Sequence, residues 1–153
     1  MRATRVTQQI NAPRERVYRA LIDANAIAKW KVPDGMSCSV HSFDAREGGA
    51  FRVSLMYDTP AGVGKTIANT DTYHGYFLKL VPNERIVEID EFETADPKLH
   101  GKMRITITLY DKYGGTELVA VHEHLPTGVS IADNETGWRM ALGKLAALVE
   151  GAP

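Results

Sequence analysis

His122 and His124 stand two residues apart in a run, residues 116–125, that alternates like a β-strand. Alternation by two puts both imidazoles on one face, together with Thr116, Leu118 and Ala120. That face carries the apolar residues, so both rings are expected to point inward. One reading makes an imidazole the polar end of an apolar pocket, as a general base or a hydrogen-bond donor. A second is a metal site, because His-x-His on a strand can present two ligands. The structural reading is a buried imidazole bonded to a backbone group or to the surroundings of Trp138. Glu88 and Asp90 raise the same question on another strand. Their parity matches Ile86 and Phe92, which sends an acid into the same interior unless a bulge turns both into solvent. A buried carboxylate needs a partner, for which Arg52, His122 or a ligand is available.

These groups need a scaffold. Residues 4–10 alternate and read as a first strand. Asn11-Ala12-Pro13 then opens a helix, with Pro13 in the first turn, Glu15 near its positive end, and Val17, Ala20 and Leu21 as its buried stripe. Residues 26–30 form a second short helix, and Val32-Pro33-Asp34-Gly35 a turn. Strands follow at 38–43, 50–57, within 67–80, at 85–92, 102–110 and 116–125, separated by turn sequences such as Glu47-Gly48-Gly49 and Lys112-Tyr113-Gly114-Gly115. Residues 59–64 read as a loop. In the final segment, Trp138, Leu142, Leu145 and Val149 recur at spacings of four, three and four, one face of a helix over 130–150. Ser130 and Asp133 supply its N-terminal cap. The fold class is α+β: six or seven antiparallel strands, two short helices after the first strand, and one long C-terminal helix. One helix cannot cover so wide a sheet if the sheet is flat. The sheet is therefore expected to curl around it and leave a concave space.

Bulk composition narrows the partners. The 153 residues suit one domain, 1–153, with 44% hydrophobic and 24% charged residues and a net charge of −1. No basic excess is present for nucleic acid, and no apolar run reaches the ~20 residues that span a bilayer. A single cysteine, Cys38, cannot form an internal disulfide and suits a reducing, cytoplasmic setting as an inert strand residue. Asp71, His74 and His100 are expected at the surface. Neither glycine pair precedes a helix, so no phosphate loop is present, and no cofactor motif appears.

The ordered set of motifs resembles the START-like superfamily, also called SRPBCC or Bet v 1-like. The branch it resembles most is that of the activator of heat-shock protein 90 ATPase, C-terminal domain. The matching pieces are Ile10-Asn11-Ala12-Pro13 with Val17 to Leu21, Trp30 with Pro33-Asp34-Gly35, residues 43–52, Gly75-Tyr76-Phe77 with residues 81–87, residues 106–109, residues 115–118 with His122-Glu123, and Gly137-Trp138 near Leu142. The resemblance implies a helix-grip fold with a cavity for apolar or amphipathic small molecules. It also implies an aromatic or apolar residue where this chain has Glu88, and no metal at His122. The predicted lining is Trp30, Phe51, Tyr73, Phe77, Glu88, Phe92, Met103, His122, His124 and Trp138, with Trp30 and Trp138 at the mouth. The leading expectation is a binder of a small hydrophobic molecule, with no cofactor and no metal. The alternatives are a cyclase- or hydrolase-like enzyme pairing a cavity histidine with Glu88, and a module that docks on a chaperone or other partner. A homodimer through an exposed edge is compatible with either.

Overall fold

A computed structural model describes residues 2–58 and 70–151. The expected loop at 59–64 and the expected strand start at 67 lie outside the described residues. The elements run β1 (Ala3–Ile10), α1 (Arg14–Leu21), α2 (Ala24–Trp30), β2 (Met36–Phe43), β3 (Ala50–Tyr57), β4 (Thr70–Val81), β5 (Arg85–Phe92), β6 (Met103–Lys112), β7 (Gly115–Glu123) and α3 (Ile131–Glu150). A 3-10 turn at Pro97–Leu99 sits between β5 and β6. The strands form one antiparallel sheet in the order β1-β7-β6-β5-β4-β3-β2. β1 pairs with β7, so the first and last strands meet at one edge while α1 and α2 carry the chain across to β2 at the other.

Two register shifts, at Val40/Ser42 and at Phe77/Lys79, add local twist to the β2–β5 half of the sheet. The inner face follows the sequence period. Met103, Ile105, Ile107 and Leu109 of β6 are all buried, as are Phe51 and Val53 of β3. α3 lies along that face with Trp138, Leu142, Leu145 and Val149 inward. Ser130 accepts a hydrogen bond from the Asp133 backbone N–H at 3.1 Å, which makes it the N-cap.

The short helices are held by polar ties as well as by packing. Trp30 Nε1–H donates to the Ala20 carbonyl at 2.9 Å and so satisfies a free carbonyl in the last turn of α1. Asp23 caps α2 by accepting from the Asn25 N–H, which starts that helix two residues earlier than its apolar pattern suggests. Lys144 of α3 donates to the Val32 carbonyl at 2.8 Å and reaches Asp34 at 3.1 Å, fixing the turn after α2 against the long helix.

Gly143 is exposed in the middle of α3, and a Cβ added there would meet nothing within 4 Å. Gly143→Ala is therefore expected to stabilise the fold by about 0.5–1 kcal/mol, through helix propensity and a less disordered unfolded chain. Thermal unfolding should show a rise of roughly 1–4 °C. An unchanged or lower midpoint would contradict the open environment assigned to that position.

Candidate functional site

Along β5 the inward residues are Ile86, Glu88, Asp90 and Phe92, and the first three are buried. The strand stays regular through both acids: Glu88 faces Phe77 and Ile105 across the sheet, and Asp90 faces Gly75 and Met103. No bulge turns them outward. Gly75 leaves the position beside Asp90 without a side chain. A Cβ there would come within 2.8 Å of the Phe51 ring and 2.0 Å of the Ile89 carbonyl oxygen.

The partner of Glu88 is neither Arg52 nor His122. Lys31, the residue just past α2, reaches Oε1 of Glu88 at 2.8 Å, and both side chains are largely buried. Burial works against the Lys31 ammonium, but Glu88, Tyr73 and Asp90 outweigh it and lift its pKa above the ordinary lysine range. Arg52 instead lies on the outer face in a two-pronged pair with Glu93. Among the described residues no cation pairs with Asp90. Burial, reinforced by the Glu88 carboxyl and only partly offset by Lys31, holds its pKa well above the usual carboxylate range. Its Oδ1 has no hydrogen-bond partner among the described residues. Tyr73 lies beside these groups, and burial with the neighbouring acids raises its hydroxyl pKa despite Lys31.

His122 is buried and its ring atoms are spoken for. Trp138 Nε1–H donates to its Nδ1 at 3.0 Å, and Asn134 Nδ2 lies 3.2 Å from the same atom. An indole N–H can only donate, so Nδ1 carries the lone pair and the proton sits on Nε2. That proton faces Met103 Sδ, a weak acceptor, at 3.2 Å. Burial and the Lys31 charge push the pKa of His122 down to about 3. The ring is thus a neutral donor with its basic nitrogen occupied, and it forms no pair with Glu88.

A cavity of about 600 Å³ opens between α3, the end of α2 and the sheet. Leu55, Phe92, Met103, Ile105 and Trp138 provide much of its apolar wall; Lys31, Asp71, Tyr73, Asp90 and His122 are among its polar groups, with Asp34, Ser130, Asp133, Asn134 and Thr136 along the α2–α3 side. Of the predicted lining, Tyr73, Phe92, Met103, His122 and Trp138 border this cavity. Trp30, Phe51, Phe77 and Glu88 surround, with Tyr73, a separate inner void of about 10 Å³, scarcely one water in size. There Phe51 and Phe77 pack with ring centroids 5.2 Å apart, and Phe43 meets Phe77 at 5.5 Å. Trp30 is 1% exposed and deep in that core, not at a mouth.

His124 departs from expectation. β7 ends at Glu123, and His124 takes a left-handed backbone with φ 60°, which swings its side chain into solvent. Asp71 departs in the other direction: it is buried and borders the cavity, sharing the inward parity of Tyr73. That shared parity was the signal that could have found it. Asn134 could have been found as the residue one helical turn before Trp138. Lys31 left no periodic signal, because it lies just beyond a helix end.

Comparison with known proteins agrees with this architecture. Residues 11–150 match the family described as Activator of Hsp90 ATPase homolog 1-like protein. Protein CV1439 from Chromobacterium violaceum is 38% identical over 97% of both chains, with a TM-score of 0.87. Protein MLL2253 from Mesorhizobium loti (21% identical, 99% of both chains, TM-score 0.74) and protein NE0264 from Nitrosomonas europaea (23%, 97% of this chain and 94% of that one, 0.71) share the fold. No curated protein matches significantly. Among the described residues no helix is long and apolar enough to cross a membrane.

Two outcomes follow from the site. Lys31→Met strands a buried carboxyl and should cost about 3–5 kcal/mol in chemical denaturation, while the double variant Lys31→Met/Glu88→Leu should recover most of it. Equal losses in both would mean that the pair is not what Lys31 contributes. His122 binds its proton far less readily when folded than its ordinary value of 6.5 allows. Its contribution is complete above that value and falls as pH drops toward about 3, by about 1.4 kcal/mol per pH unit. His122→Asn keeps an acceptor near Nδ1 but does not titrate. The stability difference between wild type and this variant should therefore shift against the wild type below pH 6.5, and a constant difference would refute the buried neutral imidazole.

Proposed function

We propose that this chain, which belongs to the activator of Hsp90 ATPase homolog 1-like family, binds one small, mainly apolar molecule in the cavity between α3 and the curved sheet. The observation that carries the reading is the cavity of about 600 Å³, inside the range of about 300–1,000 Å³ typical of small-molecule sites. Much of its wall is apolar, and among its polar groups Asp71, Asp90, Tyr73 and His122 are buried where each can orient a ligand. A cytoplasmic setting is part of the proposal and accords with the lone, half-buried Cys38.

The reading is favoured over the two alternatives by specific features. A docking module calls for a filled interior, and this interior is open. An imidazole–carboxylate catalyst calls for a His122–Glu88 pair, whereas Trp138 holds the one and Lys31 the other.

Ala141 faces the cavity from α3 and is 5% exposed. Ala141→Phe should fill part of the space while leaving the circular dichroism spectrum unchanged. Native mass spectrometry of the purified wild type, followed by denaturation, is expected to release a bound apolar molecule that is absent from Ala141→Phe. Clean apo protein, with no thermal shift from lipids, aromatics or polyketides, would count against ligand binding.

A further inference from the structure

Resting on that reading of the cavity, we infer the chemical class of its ligand: the polar end is a receptor for a carbonyl oxygen, with Asp90 and Tyr73 as paired donors. The ligand is then an apolar molecule bearing a ketone or a similar conjugated carbonyl.

Geometry comes first. Asp90 is 3% exposed, borders the cavity, and has in Oδ1 a buried atom without a hydrogen-bond partner among the described residues. Buried polar atoms are almost always paired, so an unpaired one beside an open space marks where an incoming group would bond. Tyr73 faces Phe92 across the β4–β5 ladder, which makes it the diagonal neighbour of Asp90 on the same face. The residue directly opposite Asp90 is Gly75, which adds no side chain of its own beside the carboxyl; the Phe51 ring packs over that position.

Charge then decides what kind of group fits. Lys31 is engaged by Glu88 at 2.8 Å. Among the described residues no second cation pairs with Asp90, so burial beside Glu88 favours its protonated carboxyl, which presents an O–H. Tyr73 likewise stays protonated. The His122 lone pair is already taken by Trp138. Asp90 and Tyr73 therefore offer O–H donors, while the Asp71 carboxyl also borders the cavity, and the ligand atom complementary to the Asp90–Tyr73 pair is an acceptor. A neutral carboxylic acid working with a tyrosine hydroxyl on one oxygen has a general precedent in ketosteroid isomerase, an unrelated enzyme. An amine would first have to remove the Asp90 proton beside Glu88, which makes it the weaker fit.

Three probes of one shape test this: 2-acetylnaphthalene, 2-isopropenylnaphthalene, in which CH₂ replaces the carbonyl oxygen, and 1-(2-naphthyl)ethylamine. Each is titrated calorimetrically into the full chain. The ketone should bind about tenfold tighter than the alkene, the worth of one or two net hydrogen bonds. Asp90→Leu and Tyr73→Phe should each erode that preference, and Asp90→Asn, which keeps an N–H donor, should erode it less. The infrared carbonyl band of the bound ketone should lie at lower frequency in wild type than in Tyr73→Phe. Equal binding of ketone and alkene would overturn the carbonyl receptor and leave the cavity reading standing. Tightest binding of the amine, lost in Asp90→Asn, would overturn it in favour of an anionic site. If none of the three binds to folded protein, the cavity reading fails and this inference with it.

Discussion

The sheet presents a wider apolar face than one helix can cover, and most of the molecule answers that mismatch. α3 closes the β1–β7 side through Leu142, Leu145 and Val149. At the far side, α2 and the aromatic group of Phe43, Phe51 and Phe77 fill the curl until only a trace of space remains. What neither helix reaches is the middle, over β4, β5 and β6. There the N-terminal half of α3 stands off the sheet and the cavity lies beneath it.

An open space of this kind tends to collapse, because unfilled apolar volume forfeits dispersion contacts. Here the standoff is held by directional bonds. Asn134 and Trp138, one turn apart on α3, both meet His122 Nδ1 on β7, and Asn134 also donates to Thr4 on β1. Each partner is buried or nearly so, and breaking these bonds would leave unpaired polar groups. On the other wall, Lys144 fixes the turn after α2, and Lys31 ties α2 to the centre of β5. The cavity is framed by polar ties because apolar packing alone would close it.

Much of this was legible in the sequence, and the failures have distinct causes. Alternation in β6 and the four-three-four spacing in α3 report single-element geometry, so they gave the right faces. The inward parity of Glu88 and Asp90 was also legible, since β5 runs without a bulge. His124 failed because alternation holds only while the strand lasts, and the left-handed residue after Glu123 ends it. Trp30 was placed too near the surface because a helix's inward face says nothing about depth. Its indole reaches back to the Ala20 carbonyl, a contact set by how two helices meet. Lys31 was invisible for the same reason: its role depends on where α2 ends relative to a strand 57 residues later in the chain.

The polar groups around the cavity also oppose one another in their response to acid. His122, with its folded pKa depressed, contributes stability that is present above about 6.5 and lost as pH falls. Asp90 is the reverse case. Its folded pKa is raised, so its contribution is complete below its ordinary value of 3.8 and is lost as pH rises through the raised value. From pH 3.8 up to the raised Asp90 value, and below 6.5, the two therefore pull in opposite directions. A stability curve for the whole protein can look flat across that interval while both groups remain strongly perturbed. Burial thus disfavours the charged form of both His122 and Asp90, so neither readily adds charge to the cavity wall. That property suits a site that holds an uncharged, apolar molecule, since neither group has to change protonation when the ligand displaces water.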